Sequence, residues 1–480
     1  MNIRLITRIV GIITLFLGLA MLLPIPFSLY YNDSDWNGLL ISAILALVLG
    51  SLSFLIKLEN KDLKPKEGAF VVTLAWLTFA SIGSLPYVIT GSIPNYTDAF
   101  FETMSGFTTT GATILDDISV LEHGVLLWRS LTHWIGGMGI IVMSIAILPF
   151  LGVGGMQLFK AEVPGPFADK LKPRIAETAK VLWGVYVLIS AIEVALLMFG
   201  GMDLFNSLCH TFGTMATGGF STENSSIAAF DSAYFDFVIV FFMILAGTNF
   251  ALHYNFLRGN FKIYFKNPEF KYFLYIIGAA CFIIILDLIL FSGFSILESL
   301  QYGIFQVVSI VTTTGYITAD FEQWSISSQI ILLFLMFIGG SAGSTGGGMK
   351  VMRIALLFKF AYYQIIRLIH PNAVIPVRIG GKVVDQKIMM NIIGYFILVM
   401  TVASLGTIIL SMLGLDFTTS IGAMAATLNN IGPGLGTVGA VDNYAHLSIP
   451  VKWVLTLFML LGRLEVYTVV ILFAPSFWKK

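Results

Sequence analysis

Four times along this 480-residue chain the same order recurs: a long apolar run, a short apolar run, a turn rich in Thr and Gly, and a second long apolar run. The short run and its turn read DAFFETMSGFTTTGAT over residues 98–113 and DLFNSLCHTFGTMATGGFST over 203–222. They read ILESLQYGIFQVVSIVTTTGYIT over 296–318 and DFTTSIGAMAATLNNIGPGLG over 416–436. A unit of this kind cannot bury its own apolar faces, so its copies must pack on one another. Aligning the turns sets Gly111, Gly218, Gly315 and Gly432 in register, about a hundred residues apart.

The solvent for such a chain is lipid. Hydrophobic residues make up 57% and charged residues 11%, against about 25% charged in soluble domains. Runs long enough to span a bilayer cover roughly residues 6–28, 38–56, 68–90, 124–150, 178–200, 233–257, 271–292, 328–360, 388–413 and 449–475. The shorter runs between them read as re-entrant helices. Arg4 and Arg8 before the first run mimic a signal peptide, but that run contains Pro24 and Pro26 and lacks a small-x-small cleavage site. A retained first helix is expected. Cys209 and Cys281 lie in apolar stretches and offer neither a disulfide framework nor a metal motif.

Charge sets the direction. Lys57, Lys61, Lys64 and Lys66 share one loop, and Lys160, Lys170, Lys172, Arg174 and Lys180 the loop two spans later. Arg258, Lys262, Lys266, Lys271, Lys359, Arg367, Arg378, Lys382, Lys387, Lys479 and Lys480 fall on the same side of a ten-span drawing. Asp33, Asp35, Asp116, Asp117, Glu122, Glu223, Asp231, Asp320, Glu322 and Asp442 fall on the other. The positive-inside rule then puts both termini in the cytoplasm, and the chain is expected in the cytoplasmic (inner) membrane. Arg129, Lys452 and Arg353 lie near span ends and are expected to snorkel. The expected fold is an all-α integral membrane protein of ten transmembrane helices. Two N-terminal helices (residues 1–60) precede four units of helix, pore helix, filter and helix, at 61–175, 176–265, 266–385 and 386–480, pseudo-fourfold around one pore.

The turns have a definite chemistry. A cation entering lipid loses its water, and inward-pointing backbone carbonyls can replace it. Extended backbone at membrane depth is tolerated only where it lines a polar cavity. Gly permits dihedrals that aim successive carbonyls one way, and the Thr hydroxyls can add oxygen or brace the turn. The negative dipole end of each short helix favours a cation. The candidate filter is Thr109, Thr110, Gly111, Thr217, Gly218, Thr313, Thr314, Gly315, Asn430, Ile431 and Gly432, with a dehydrated monovalent cation as ligand. Asp98, Asp203 and Asp416 stand where the short helices should begin and read as N-caps.

These turns resemble the TrkH/TrkG/KtrB superfamily of K⁺ uptake proteins, as do ITRIVGI at 6–12, WRSLTHWIGGMGI at 128–140 and QLFKAEVPGPFADKLKPRIAETAK at 157–180. The resemblance covers nearly the whole chain, and two spans ahead of the first repeat favour the TrkH branch. It implies K⁺ as the transported ion, a homodimer, and a cytoplasmic TrkA-like regulatory subunit that carries the nucleotide. It implies no covalently bound cofactor in this chain. Relatives that prefer Na⁺ often carry Ser where this chain has Gly111. The fourth turn departs most, with Asn430, Ile431, Gly432 and Pro433.

Residues 337–350, FIGGSAGSTGGGMK, contain six Gly among fourteen residues. Each Gly costs a helix roughly 1 kcal/mol against Ala, so the run is expected to break its span below the filter. Gly339, Gly340, Gly343, Ser344, Thr345, Gly346, Gly347, Gly348 and Lys350 are the candidate gate, with Lys350 as its anchor; the family resemblance implies an intramembrane gating loop here. Met349 interrupts any phosphate-loop reading. The other closing helices carry weak points at Gly136, Gly137, Gly139, Gly247 and Gly462. Arg463 falls mid-span. It reads as a barrier to cations or as an ion-pair partner of Glu465. At about 8 Å and an effective dielectric of about 20 its repulsion is about 2 kcal/mol. Residues 372–387 read as a cytoplasmic hairpin turning at Gly380 and Gly381.

No HExxH is present, and the six histidines form no ligand spacing. His210 reads as a packed residue of a short helix. The zero net charge points to neither nucleic acid nor an acidic partner. The remaining alternative is a symporter coupling K⁺ to H⁺ or Na⁺, which inverted repeats and a midplane carboxylate would favour.

Overall fold

The computed structural model describes residues 2–57, 65–146, 171–373 and 375–478. Lys61, Lys64, Lys160, Lys170, Lys479 and Lys480 of the charge argument lie outside the described residues. Among those described, Ile3–Tyr31, Trp36–Leu55, Glu67–Thr90, Thr178–Phe199, Pro268–Phe291 and Gln386–Met412 are long and apolar enough to cross a bilayer. Two more reach that length only as bent pairs, Ala233–Ala246 with Phe250–Leu257 at 99° and Ile449–Arg463 with Tyr467–Phe473 at 110°.

Two runs expected to be continuous are therefore bent, and a third divides at the expected loop. The run over 233–257 stops at Gly247, and Asn249 caps a new helix by accepting from the Ala251 N–H at 2.8 Å. The run over 449–475 turns where Glu465 and Val466 take φ of 55° and 28°. The run over 328–360 divides into Ile326–Met336 and Val351–Ile369 around the expected Gly-rich break. Hydropathy cannot see these bends, because apolar residues continue through them.

The first two long helices pack closely. A β-carbon at Gly50 would lie 2.7 Å from the Gly11 carbonyl oxygen, the small-residue contact that membrane helices use. Their connection then caps the helix His123–Ala146. Asp33 accepts from the His123 N–H at 2.8 Å, and Asp35 from the Val125 N–H at 2.7 Å. Acidic groups at a helix N-terminus satisfy free donors and complement the dipole.

Four short helices, Tyr96–Phe107, Leu204–Ala216, Ile296–Val311 and Phe417–Leu428, run inward from capped starts. Asp203 and Asp416 are N-caps as expected, and Ser295 with Glu298 forms a capping box. The first helix differs: Asn95 is its cap, and Asp98, three residues on, binds Lys452 Nζ at 2.6 Å. The hairpin at 378–383 pairs Arg378–Ile379 with Lys382–Val383 through Gly380 and Gly381, both at positive φ, as that tight turn demands.

The cations expected to snorkel are instead buried and paired. Arg129, 1% exposed, binds Glu102 at 2.7 Å and lies over the Phe220 ring. Lys452 binds Asp98. Arg353 binds Glu465 at 2.6 Å and covers the Tyr395 ring at 4.3 Å. Glu465 is thus the partner of Arg353 and not of Arg463. Snorkelling applies at the lipid surface, whereas these side chains face other helices.

Removing one member of a buried pair strands the other, at a cost of about 3–5 kcal/mol. Glu465→Ala should accordingly lower the melting temperature in detergent well below that of the wild type. The double replacement Arg353→Met with Glu465→Leu should recover most of the loss. Equal melting of Glu465→Ala and wild type would show that the pair contributes nothing.

Candidate functional site

Each short helix ends in the same backbone pattern. The N–H of Thr110 reaches back to Ser105 O at 2.8 Å, Gly218 to Gly213 at 2.8 Å, Thr314 to Ser309 at 2.9 Å and Ile431 to Ala426 at 2.9 Å. The residue before each donor is left-handed: Thr109 (φ 52°), Thr217 (55°), Thr313 (60°) and Asn430 (55°). The residue after is a left-handed glycine: Gly111 (82°), Gly219 (78°), Gly315 (81°) and Gly432 (100°). Gly219, and not Gly218, is therefore the counterpart of the other three. The second turn has two adjacent glycines, and only the helix end decides which one takes the left-handed place.

The four turns close on one another. A β-carbon at Gly111 would meet Gly218 O at 2.1 Å, at Gly219 Thr314 O at 2.0 Å, at Gly315 Ile431 O at 1.8 Å, and at Gly432 Thr110 O at 2.8 Å. Each glycine makes room for the carbonyl of the next turn, in the order one, two, three, four and back to one. Left-handed residues without a glycine's freedom cost roughly 1–3 kcal/mol each, so four of them at one level mark a backbone held by its surroundings.

Each turn offers three carbonyls in succession. Among the described residues, no protein donor reaches those of Thr109, Thr110, Gly111, Thr217, Gly218, Gly219, Thr313, Thr314, Gly315, Asn430 or Ile431. Gly432 alone accepts a bond, from the Tyr444 hydroxyl at 2.7 Å. Buried polar groups are costly without partners, so these oxygens suit a ligand that brings positive charge. No group of three or more His, Cys, Asp or Glu suited to a metal ion occurs among the described residues. The donor set is hard, neutral oxygen, which fits an alkali cation.

The Thr hydroxyls mostly brace. Thr110 and Thr314 bond to Thr108 and Thr312 at 2.8 Å each, and Asn430 Nδ2 donates to Thr110 and to Met459 O, both at 2.9 Å. Thr217 donates to Ala216 O at 2.6 Å. Sequence reasoning missed Thr108 and Thr312, although each opens a Thr triplet. It also missed His133, which stacks on Phe220 at 4.0 Å and would meet a β-carbon on Gly218 at 2.4 Å. No local pattern marks that histidine.

One side of the ring opens to a mouth lined by Gly111, Gly219, Gly315, Gly432, Glu223 and Asp442 among others. Beside it, bonds from Ser119 and Asn224 hold the Asp117 carboxyl below the usual carboxylate range. Against the other side lies the loop 337–350. Gly347 N–H donates to the Thr313 hydroxyl at 2.6 Å, and β-carbons at Gly346 and Gly347 would press on Thr312 O and Asn429 O. Thr345 donates to Met215 O at 3.0 Å and Ala246 O at 3.1 Å. Ser341 N–H reaches Gly247 O, Phe250 N–H reaches Gly343 O, and Val351 N–H reaches Gly340 O. Ser344 closes a local bond to Ser341 O. Gly339, Gly343, Gly348 and Lys350 take positive φ. The Lys350 ammonium binds Gly346 O.

Arg463 completes the arrangement. Its guanidinium donates to Thr345 O at 2.7 Å and to Gly136 O at 3.0 Å. The loop is thus tied to all four repeats: to the first through Arg463 and Gly136, to the second through Met215 and Ala246, to its own through Thr313, and to the fourth through Arg463.

A helical membrane chain with a fourfold ring of unsatisfied carbonyls is a cation transporter in its construction. The family model described as TrkH, cation transport protein, matches residues 39–480, and this chain belongs to the TrkH family. It is 42% identical over the full length of both chains to the Trk system potassium uptake protein TrkH of Escherichia coli (strain K12). It is 33% identical to TrkG of the same organism, over 100% of this chain and 99% of that one. The crystal structure of the potassium transporter TrkH from Vibrio parahaemolyticus superposes with a TM-score of 0.92 at 37% identity, covering both chains fully.

The ring geometry sets a test. Monovalent cations should raise the melting temperature of the purified wild type, and Gly219→Ala should abolish that rise. Gly201→Ala, at a left-handed glycine with nothing within 4 Å, should keep it. A cation-dependent rise retained in Gly219→Ala would remove the assignment of Gly219 to the ring.

Proposed function

We propose that this chain takes up K⁺ across the cytoplasmic membrane by channel-like permeation of the dehydrated ion through the carbonyl ring. The observation that carries this reading is the set of buried carbonyls without protein donors, arranged around one axis. The names of the relatives, potassium uptake proteins, support K⁺ as the ion. The charge separation along the sequence supports ten spans, with Ile326–Met336 and Val351–Ile369 as two halves of one, and both termini in the cytoplasm. The acidic mouth is then the outer face.

The loop 337–350 is the closed gate beneath the filter, with Arg463 as both its latch and a positive barrier. A TrkA-like cytoplasmic subunit that binds nucleotide opens it, with the hairpin at 378–383 as a contact surface, and the transporter works as a homodimer. Glu465 is committed to Arg353 and is not free to couple K⁺ to H⁺ or Na⁺. Reversal potentials in opposed gradients should follow K⁺ alone.

In liposomes, wild-type protein should pass Rb⁺ tracer in preference to Na⁺ tracer, and Gly315→Ser should narrow the difference. Equal fluxes in wild type would overturn the K⁺ assignment. Shortening the loop within residues 343–348 should raise basal flux, as should Arg463→Ala. Unchanged flux in both, with the protein correctly inserted, would remove the gate.

A further inference from the structure

With the turns registered on Gly111, Gly219, Gly315 and Gly432, the short-helix residue nine positions earlier is Glu102, His210, Gln306 and Ala423. The first three are fully buried. They differ in chemistry yet share one act: each bonds a hydroxyl just beyond its own glycine. Glu102 accepts from Thr113 Oγ1 at 3.0 Å and from the Ile114 N–H at 2.9 Å. His210 Nε2 meets Ser221 Oγ at 3.0 Å, and its Nδ1 faces Asn206 O at 2.8 Å. A carbonyl can only accept, so Nδ1 carries the proton and Nε2 accepts from the serine. Gln306 Nε2 lies 3.4 Å from Thr318 Oγ1.

The fourth repeat reaches the same end from outside. Ala423 cannot bond, but Glu322 accepts from the Gly436 N–H at 2.7 Å and Tyr444 donates to Gly432 O. Every filter turn is therefore pinned twice. A backbone bond to the helix end holds its inner side, and a polar tie holds its outgoing strand. The ring carbonyls lie between the two pins.

Packing alone does not account for three polar residues here. An apolar side chain fills such a place at no desolvation cost, as Ala423 does, whereas a buried polar group is costly unless bonded. What the ties supply is a fixed spacing of the carbonyls. We infer that Glu102, His210 and Gln306 are equivalent positioning residues whose ties to Thr113, Ser221 and Thr318 set how sharply the ring discriminates between cations. This rests on the permeation reading above and adds to it the residues that tune selectivity.

Glu102 also holds Arg129, and His210 also holds its own helix, so the third repeat gives the cleanest experiment. The ratio of Rb⁺ to Na⁺ tracer flux is measured for the full chain in liposomes, for wild type, Gln306→Leu, Thr318→Val and Gln306→His. The two severed ties should lower the ratio by about fivefold, the equivalent of one net hydrogen bond. Gln306→His, which borrows the tie of the second repeat, should restore most of it. An unchanged ratio in Gln306→Leu and Thr318→Val, or a fall of both fluxes in proportion, would overturn the inference. If Gln306→Leu does not fold, Thr318→Val decides. A wild type that does not discriminate at all would sink the K⁺ reading itself, an outcome distinct from variants that match a discriminating wild type.

Discussion

Carbonyl oxygens repel one another, and in this chain four helix C-termini aim theirs at a common axis. The negative ends of four dipoles converge there, and the four left-handed residues at Thr109, Thr217, Thr313 and Asn430 add backbone strain. Nothing in such an arrangement is stable by itself. It persists because glycines let each turn nest against the next and because the rest of the fold holds the turns from behind. A cation among these oxygens would relieve the repulsion that the protein leaves in place, so in the proposed reading the structural problem and the functional site are one feature.

The surroundings meet this demand with buried polar groups. Glu102 and Arg129 join the first short helix to the outgoing strand of the second turn through Ser221 O, at 2.9 Å from Arg129 Nη1. Thr108, Thr312 and Asn430 tie hydroxyls and amides across the inner side. The four repeats solve one geometric task with different side chains, so the ring is fourfold in its backbone and asymmetric in its supports. The Gly432 carbonyl, bound by Tyr444, is the visible sign of that asymmetry at the ring itself.

On the side of the ring away from the mouth, buried cations meet the loop 337–350. Arg463 and Lys350 both bind carbonyls of the loop 337–350, so in the proposed reading the cations that oppose a permeating ion are also the ones that hold the loop. In the proposed gate, repulsion from Arg463 of about 2 kcal/mol across roughly 8 Å is the barrier that movement of the loop removes. The Gly347 bond to Thr313 links the loop directly to the ring. The proposed gate and filter therefore share a hydrogen bond, and displacement of one would alter the polar environment of the other.

Much of this was readable along the chain. Apolar length, the recurrence of Thr and Gly after a short run, and the Gly density at 337–350 are local properties, and each constrains the backbone through local physics. The N-caps Asp203 and Asp416, the turn at Gly380 and Gly381, and the break at 337–350 follow from that. What lay beyond the sequence depended on neighbours distant in the chain. Gly218 and Gly219 are alike in residue type, and the helix end together with the carbonyl of Thr314 distinguishes them. Glu465 stands two residues from Arg463, yet its partner is Arg353, more than a hundred residues away. His133 is one buried histidine among six histidines until Gly218 and Phe220 are brought against it. Backbone preference is written in short stretches of residues, whereas pairing, register and nesting exist only once the four repeats have closed around their axis.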